Sequence, residues 1–208
     1  MIIVHHLEES RSQRVLWMLE ELGAAYDIVN YKRDPQTRLA PPALKQVHPL
    51  GKSPVVEEGG RVLAESAAIL EFLAETRGDG KLGVAPGAPT RAAYLHWLHF
   101  AEGSAMVPFL LQIYTLRLGE AAAPLQPRIS AEIDNHLAYV NAAYADRDFL
   151  VDNRLTAADI GMSFILDVGN RSTKLAPYPH LARVRAQFHV RPAYQRALER
   201  GGPYALGN

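Results

Sequence analysis

One stretch constrains the fold more than any other: His48 to Leu73, HPLGKSPVVEEGGRVLAESAAILEFL. It reads as a turn, a Ser-Pro step, a short strand, a Gly-Gly hairpin, a second short strand, and a helix opening at Glu65-Ser66. Pro54 has no N–H to give to a ladder, so the strand it starts must begin at an edge or a turn. Val55-Val56 and Val62-Leu63 flank Glu57-Glu58-Gly59-Gly60, the pattern of a tight hairpin. Ser66 stands where a helix N-cap belongs, with the helix formers Ala67 to Leu73 behind it. Free N–H groups and the partial positive charge of a helix start suit a carboxylate. The segment is arranged to hold an anion beside an extended backbone.

Gly51, Lys52, Ser53, Pro54, Glu65 and Ser66, together with the N-terminal run SRSQRVLWMLEELG, resemble the soluble glutathione transferases, in particular serine-type (theta-like) bacterial and fungal members. The resemblance implies a thioredoxin-like first domain that binds glutathione. It implies a cis proline at position 54 presenting backbone to the cysteinyl part of glutathione. It also implies an acidic-Ser pair, Glu65-Ser66, holding the γ-glutamyl end.

The 208 residues suffice for one large domain or two small ones with a substantial core. Lys and Arg number 22 against 22 Asp and Glu, so there is no basic excess for phosphate-backbone contacts, and nucleic acid is not expected as a partner. With no cysteine, disulfides, thiolate metal sites and a cysteine nucleophile are excluded. The opening MIIVHHLEES lacks a basic stretch followed by an apolar run, no span suits a bilayer, and a cytoplasmic protein is expected.

Ile2 to Leu7 predicts a buried strand, Val15 to Leu22 an amphipathic helix closed by Gly23, and Tyr26 to Tyr31 a second strand. A short helix is expected over Leu39 to Val47, with Pro41 and Pro42 in its first turn. With the hairpin and a helix to about Arg77, the order is βαβαββα, that of the thioredoxin-like fold. A Gly/Pro-rich joint follows, giving a first domain over 1–78, a linker over 79–89 and an all-helical bundle over 90–208. In the second domain, one long helix from Arg91 to Leu118 should kink at Pro108. Further helices are expected over Leu125–Tyr144, Ala157–Val168, Leu181–Phe188 and Ala193–Leu198. Thr156-Ala-Ala-Asp159 has the spacing of a capping box, a structural role for Asp159.

Glutathione reacts as its thiolate. Lowering a thiol pKa of about 8.5 by about two units takes roughly 2.7 kcal/mol. One hydrogen bond to the anion supplies about 1.5–3 kcal/mol, and a helix start adds about 0.3–1. A single placed hydroxyl suffices, without metal or prosthetic group. Ser10 precedes Arg14 by four residues, as the active serine does in the theta-like members, so the resemblance implies Ser10 as the donor. Arg11 would assist by charge, and Ser12 is the rival hydroxyl; a plain capping role for Ser10 is the alternative. Lys52 would meet the glycine carboxylate, Glu65 the γ-glutamyl ammonium, and Ser66 the γ-glutamyl carboxylate. His48 is either a ligand contact or a turn residue.

Met106, Phe109, Leu110 and Tyr114 are spaced to share a helix face and are the candidate lining of a hydrophobic electrophile pocket between the domains; a core stripe is the alternative. Tyr204 could cover the same pocket. Gly51-Lys52-Ser53 is no phosphate loop, because Gln46 stands where its first glycine is needed. His5 and His6 point to opposite faces of a strand and cannot share a ligand. The resemblance implies a homodimeric glutathione transferase acting on small electrophiles, with peroxide reduction as a further activity. The rival is a non-catalytic transferase-like interaction protein of stress response or translation.

Overall fold

The computed structural model describes residues 1–172 and 174–207. By packing, the chain falls into two units, residues 1–85 with 188–208, and residues 86–187.

In the first unit, β1 (Ile2–Leu7), β2 (Tyr26–Tyr31), β3 (Val55–Glu58) and β4 (Arg61–Ala64) form one mixed sheet in the order β2-β1-β3-β4. β1 runs parallel to β2 and antiparallel to β3, which is antiparallel to β4. This is the thioredoxin-like arrangement. The hairpin turn is made by Gly59 and Gly60 alone, both at positive φ (56° and 78°). A two-residue turn matching the strand twist demands that of both central residues, which is why glycine fills them. α1 (Ser12–Leu22) is closed by Gly23 at φ 63°, whose N–H bonds the Glu20 carbonyl. α1 packs on β1 and on α3 (Ser66–Arg77). Val15 to Leu19 of α1, Ile69, Leu70 and Leu73 of α3, and Val4 of β1 are wholly buried and make the core of this unit.

Between β2 and β3 the structure departs from expectation. α2 is only Leu44–Val47, not a helix from Leu39. A residue preceding proline is driven out of helical conformation, and Pro41 and Pro42 do this to two residues in succession. Helical bonding therefore begins beyond them, with Leu44 and Lys45 donating to the carbonyls of Pro41 and Pro42.

The end of the chain also belongs to the first unit, whereas the sequence reading assigns it to the helical domain. α9 (Pro192–Gly201) lies on α1, with Trp17 edge-on to Tyr194 at 5.2 Å and tilted against Phe188 at 5.4 Å. Arg191 pairs with Glu21, and Arg196 and Arg200 with Glu20.

The second unit is helical: α4 (Arg91–Phe100), α5 (Met106–Thr115), α6 (Gln126–Ala143), α7 (Ala157–Arg171) and most of α8 (Pro179–His189). α7 is buried from Ala157 to Gly169, as an apolar helix surrounded by others must be. The long helix expected over Arg91–Leu118 is broken. A π turn over Ala101–Ala105 separates α4 from α5, and a 3₁₀ stretch takes over from Leu116. The break lies one turn before Pro108 rather than at it, because a proline ring collides with the carbonyl four residues back, here that of Ser104. The capping box forms: Asp159 accepts from the N–H and hydroxyl of Thr156, both at 2.9 Å. It also takes the Leu150 N–H at 2.8 Å and the Tyr144 hydroxyl at 3.1 Å.

Candidate active site

Strand register gathers most of the expected residues. His5 pairs with Val55, and Val55 pairs with Ala64. The step before Val55 is Pro54 and the step after Ala64 is Glu65, so both lie at the end of the sheet where β1 finishes at Leu7. The loop carrying Ser10 starts at that same end.

The Ser53–Pro54 peptide is cis. Pro54 cannot extend the ladder, and the Ser53 side chain does so instead. Its hydroxyl donates to the His5 carbonyl at 2.8 Å and accepts the Leu7 N–H at 3.2 Å. That hydroxyl serves the scaffold; the backbone at Ser53 and Pro54 is what a ligand would meet. His48 serves its own turn, Nδ1 taking the Leu50 N–H at 3.4 Å and its carbonyl the Gly51 N–H at 2.8 Å. Lys52 is exposed.

Ser66 is not the N-cap of α3 but its first helical residue; the cap is Glu65, exposed and held at φ 70°, ψ 117°. A non-glycine residue at positive φ costs of order 1–3 kcal/mol, and such residues concentrate at ligand clamps. Sequence alone could not locate this, since Glu at positive φ is disfavoured and Ser is the commoner cap. Ser66 is buried at the helix start.

The Ser10 loop is tied down by Arg33. Its guanidinium donates to the carbonyls of Glu8 and Glu9, both at 3.1 Å, and of Arg38 at 2.9 Å. Arg38 pairs with the Glu9 carboxylate at 2.9 Å. α1 begins at Ser12 with Arg11 as its cap residue, and the Ser10 hydroxyl accepts the Ser12 N–H at 3.2 Å. Ser10 therefore does what its bland reading requires, but its hydroxyl has a second partner, Ser12 Oγ, at 2.7 Å. Ser12 is fully buried and its Oγ lies 2.8 Å from His6 Nδ1. Burial pushes the His6 ring down to about 4, so it is neutral at ordinary pH.

His6 was missed in the sequence. The alternation of β1 puts it on the face opposite His5, and that face is the one α1 covers. His5, on the other face, sits between the Tyr31 hydroxyl (2.8 Å) and the Glu57 carboxylate (2.9 Å).

The four electrophile candidates lie on α5 and do not share one environment. Met106 and Phe109 are 2% and 1% exposed and pack as core, Leu110 is half-buried, and Tyr114 is exposed. Tyr204 is buried in the first unit.

Comparison with known proteins gives one consistent result. The glutathione S-transferase N-terminal domain model matches residues 10–76 and the C-terminal domain model residues 100–192. Glutathione S-transferase 3 of Schizosaccharomyces pombe is 34% identical, the match covering 96% of this chain and 88% of that protein. A glutathione S-transferase structure from Actinobacillus pleuropneumoniae has a TM-score of 0.90 at 32% identity, over 99% of this chain and 94% of that one. A glutathione transferase family member from Pseudomonas fluorescens, solved with two glutathione bound, has a TM-score of 0.80 at 26% identity, over 95% and 92% of the two chains.

Proposed function

This chain belongs to the glutathione S-transferase family, and from that premise we propose how its own residues hold glutathione and activate its sulfur. The cysteinyl backbone of glutathione lies against Pro54, and Lys52 meets the glycine carboxylate. Glu65 accepts from the γ-glutamyl ammonium, while the N–H groups at the start of α3 and the Ser66 hydroxyl take the γ-glutamyl carboxylate. Ser10 donates to the sulfur, with Arg11 adding positive charge near it. One charge-assisted hydrogen bond of about 1.5–3 kcal/mol brings most of the ionisation needed at neutral pH. The thiolate then attacks an electrophilic carbon, or a peroxide oxygen.

The observation that carries this reading is the register His5–Val55–Ala64, which sets the Ser10 loop, Pro54 and Glu65-Ser66 at one end of a sheet. Leu110 and Tyr114 are the two members of the α5 stripe left to meet an apolar electrophile. A homodimer is part of the proposal, on the family's pattern. Cytoplasmic location is proposed too; among the described residues no helix is long and apolar enough to cross a membrane. The interaction-protein alternative is not favoured, since a scaffold has no need of the Glu65-Ser66 pair.

Two substitutions test the reading. Ser66→Ala should weaken retention on immobilised glutathione by about tenfold, one charge-assisted bond. Ser10→Ala should lower kcat for an aromatic chloride by about 10²-fold with glutathione KM little changed. Wild-type conjugation by Ser10→Ala would remove Ser10 from the role.

A further inference from the structure

Ser10, Ser12 and His6 form an unbroken row: Ser10 Oγ to Ser12 Oγ is 2.7 Å and Ser12 Oγ to His6 Nδ1 is 2.8 Å. All three are at least nine-tenths buried, and only Ser10 stands at the outer end, on the loop. The direction of the hydrogens follows from His6. The Gly201 backbone beside the ring favours its protonated form, as a carbonyl does and an N–H does not, so the ring turns an N–H toward Gly201. Nδ1 is turned to Ser12, so the N–H on the Gly201 side is Nε2–H, and the neutral ring is left with a lone pair on Nδ1. Ser12 must then donate to Nδ1, its remaining contact to the Leu7 carbonyl being longer at 3.3 Å. Ser12 Oγ in turn accepts the Ser10 O–H. Ser10 therefore turns its hydrogen inward and a lone pair outward.

This is the wrong polarity for holding a thiolate and the right one for receiving a thiol. We propose that Ser10–Ser12–His6 is a proton path, along which the thiol proton of bound glutathione moves inward as the thiolate forms. The S–H bond breaks as a Ser10 O–H forms. The proton that Ser10 held passes to Ser12, and the one Ser12 held passes to His6 Nδ1. The products are a thiolate and an imidazolium, with no other reactant. After the transfer every bond in the row points outward, and the new Ser10 O–H donates to the sulfur anion. Ser12 and His6 act through Ser10, as positioning residues.

The surroundings of His6 suit the role. Glu8, on the loop after β1, is the charged group acting on the ring, and it favours the imidazolium. α1 presents Ser12 and the Gln13 amide, and α9 presents the Gly201 carbonyl, none of which titrates in this range. A β-carbon at Gly201 would lie 2.8 Å from Gln13 Oε1 and 3.3 Å from His6 Cε1, so glycine is what lets α9 bring its carbonyl to the ring. Burial disfavours the imidazolium in the free protein, and the thiolate at the other end of the row is the charge that offsets it.

The proposal rests on Ser10 as the group at the sulfur, and the experiment separates the two. Wild-type protein is titrated with glutathione at pH 7; thiolate is measured by its ultraviolet band and released protons by calorimetry in two buffers of different ionisation enthalpy. The path predicts well under one proton released per thiolate formed. Ser12→Ala and His6→Asn, the latter an acceptor that cannot hold a proton, should release one per thiolate. Both should also move the acid limb of the kcat profile up by about one pH unit, a tenfold loss at its foot. Ser12→Thr, which keeps the hydroxyl, should restore the low proton release that Ser12→Ala loses. One proton per thiolate from the wild type, with glutathione bound normally, would overturn the path and leave Ser10 in place. An unimpaired Ser10→Ala would overturn both.

Discussion

Glu65 separates binding from stability in one side chain. Its φ of 70° costs backbone energy that glycine would not bear, while glycine would give up chain entropy on folding. Glu65→Gly should therefore leave thermal stability within about 1 kcal/mol of wild type while glutathione KM rises about tenfold. A melt and a steady-state titration on one preparation check it; a stability loss with unchanged KM would make Glu65 a folding residue. The chemical types at this end of the sheet were legible because Pro54, Glu65 and Ser66 announce themselves by what they cannot do or must accept. What was not legible is which member of a pair takes which task. Ser53 gave its hydroxyl to β1, and Ser66 ceded the cap to Glu65. Such exchanges depend on partners brought from 46 and 48 positions away, as with the Leu7 and His5 backbone, and no local pattern records them.

At the scale of elements, the capping box of α7 makes the clearest case for order built from one carboxylate. Asp159 takes donors from Leu150, Thr156 and Tyr144, all buried. Asp159→Ala leaves these without an acceptor and should destabilise the protein by about 3 kcal/mol or more, read in urea denaturation. Thr156→Ser, which keeps the hydroxyl, should cost under about 1 kcal/mol. The four-residue spacing of that box was readable because a cap is a local device. Strands and helices with steady periodicity, β1, β2 and α1 among them, were readable for the same reason. Where local rules compete, the reading failed. Pro108 signals a kink, and the relief is taken as a π turn at Ala101–Ala105, one turn before the proline. α2 lost its first residues because two prolines each veto the residue before them.

For the whole molecule, acid acts on the two units in opposite senses. His6 sits in the first unit with a pKa of about 4 against an ordinary 6.5, because burial opposes the charged ring. Its contribution to stability is full above 6.5 and is lost as pH falls through 4. Asp159 sits in the second unit with its carboxyl pushed by burial to about 6 from 3.8. Its contribution is full below 3.8 and is lost as pH rises through 6. Each shift amounts to roughly 3 kcal/mol. Acidification from 6.5 to 4 should thus lower the melting of the first unit and spare or raise that of the second. Trp17 and Trp97, one in each unit, report them separately in single-tryptophan variants, and His6→Asn should abolish the divergence on the Trp17 side. The last of these large-scale facts is the return of α9 to α1. Trp17, in the first helix, packs against Phe188 and Tyr194, so the core of this unit closes only across about 170 positions of chain. A fragment of residues 1–85 should accordingly bind a hydrophobic dye and refuse to melt cooperatively, and adding a peptide of residues 188–208 should reverse both. On synthesis the apolar face of Trp17 thus stays uncovered until residues 188–201 have been added.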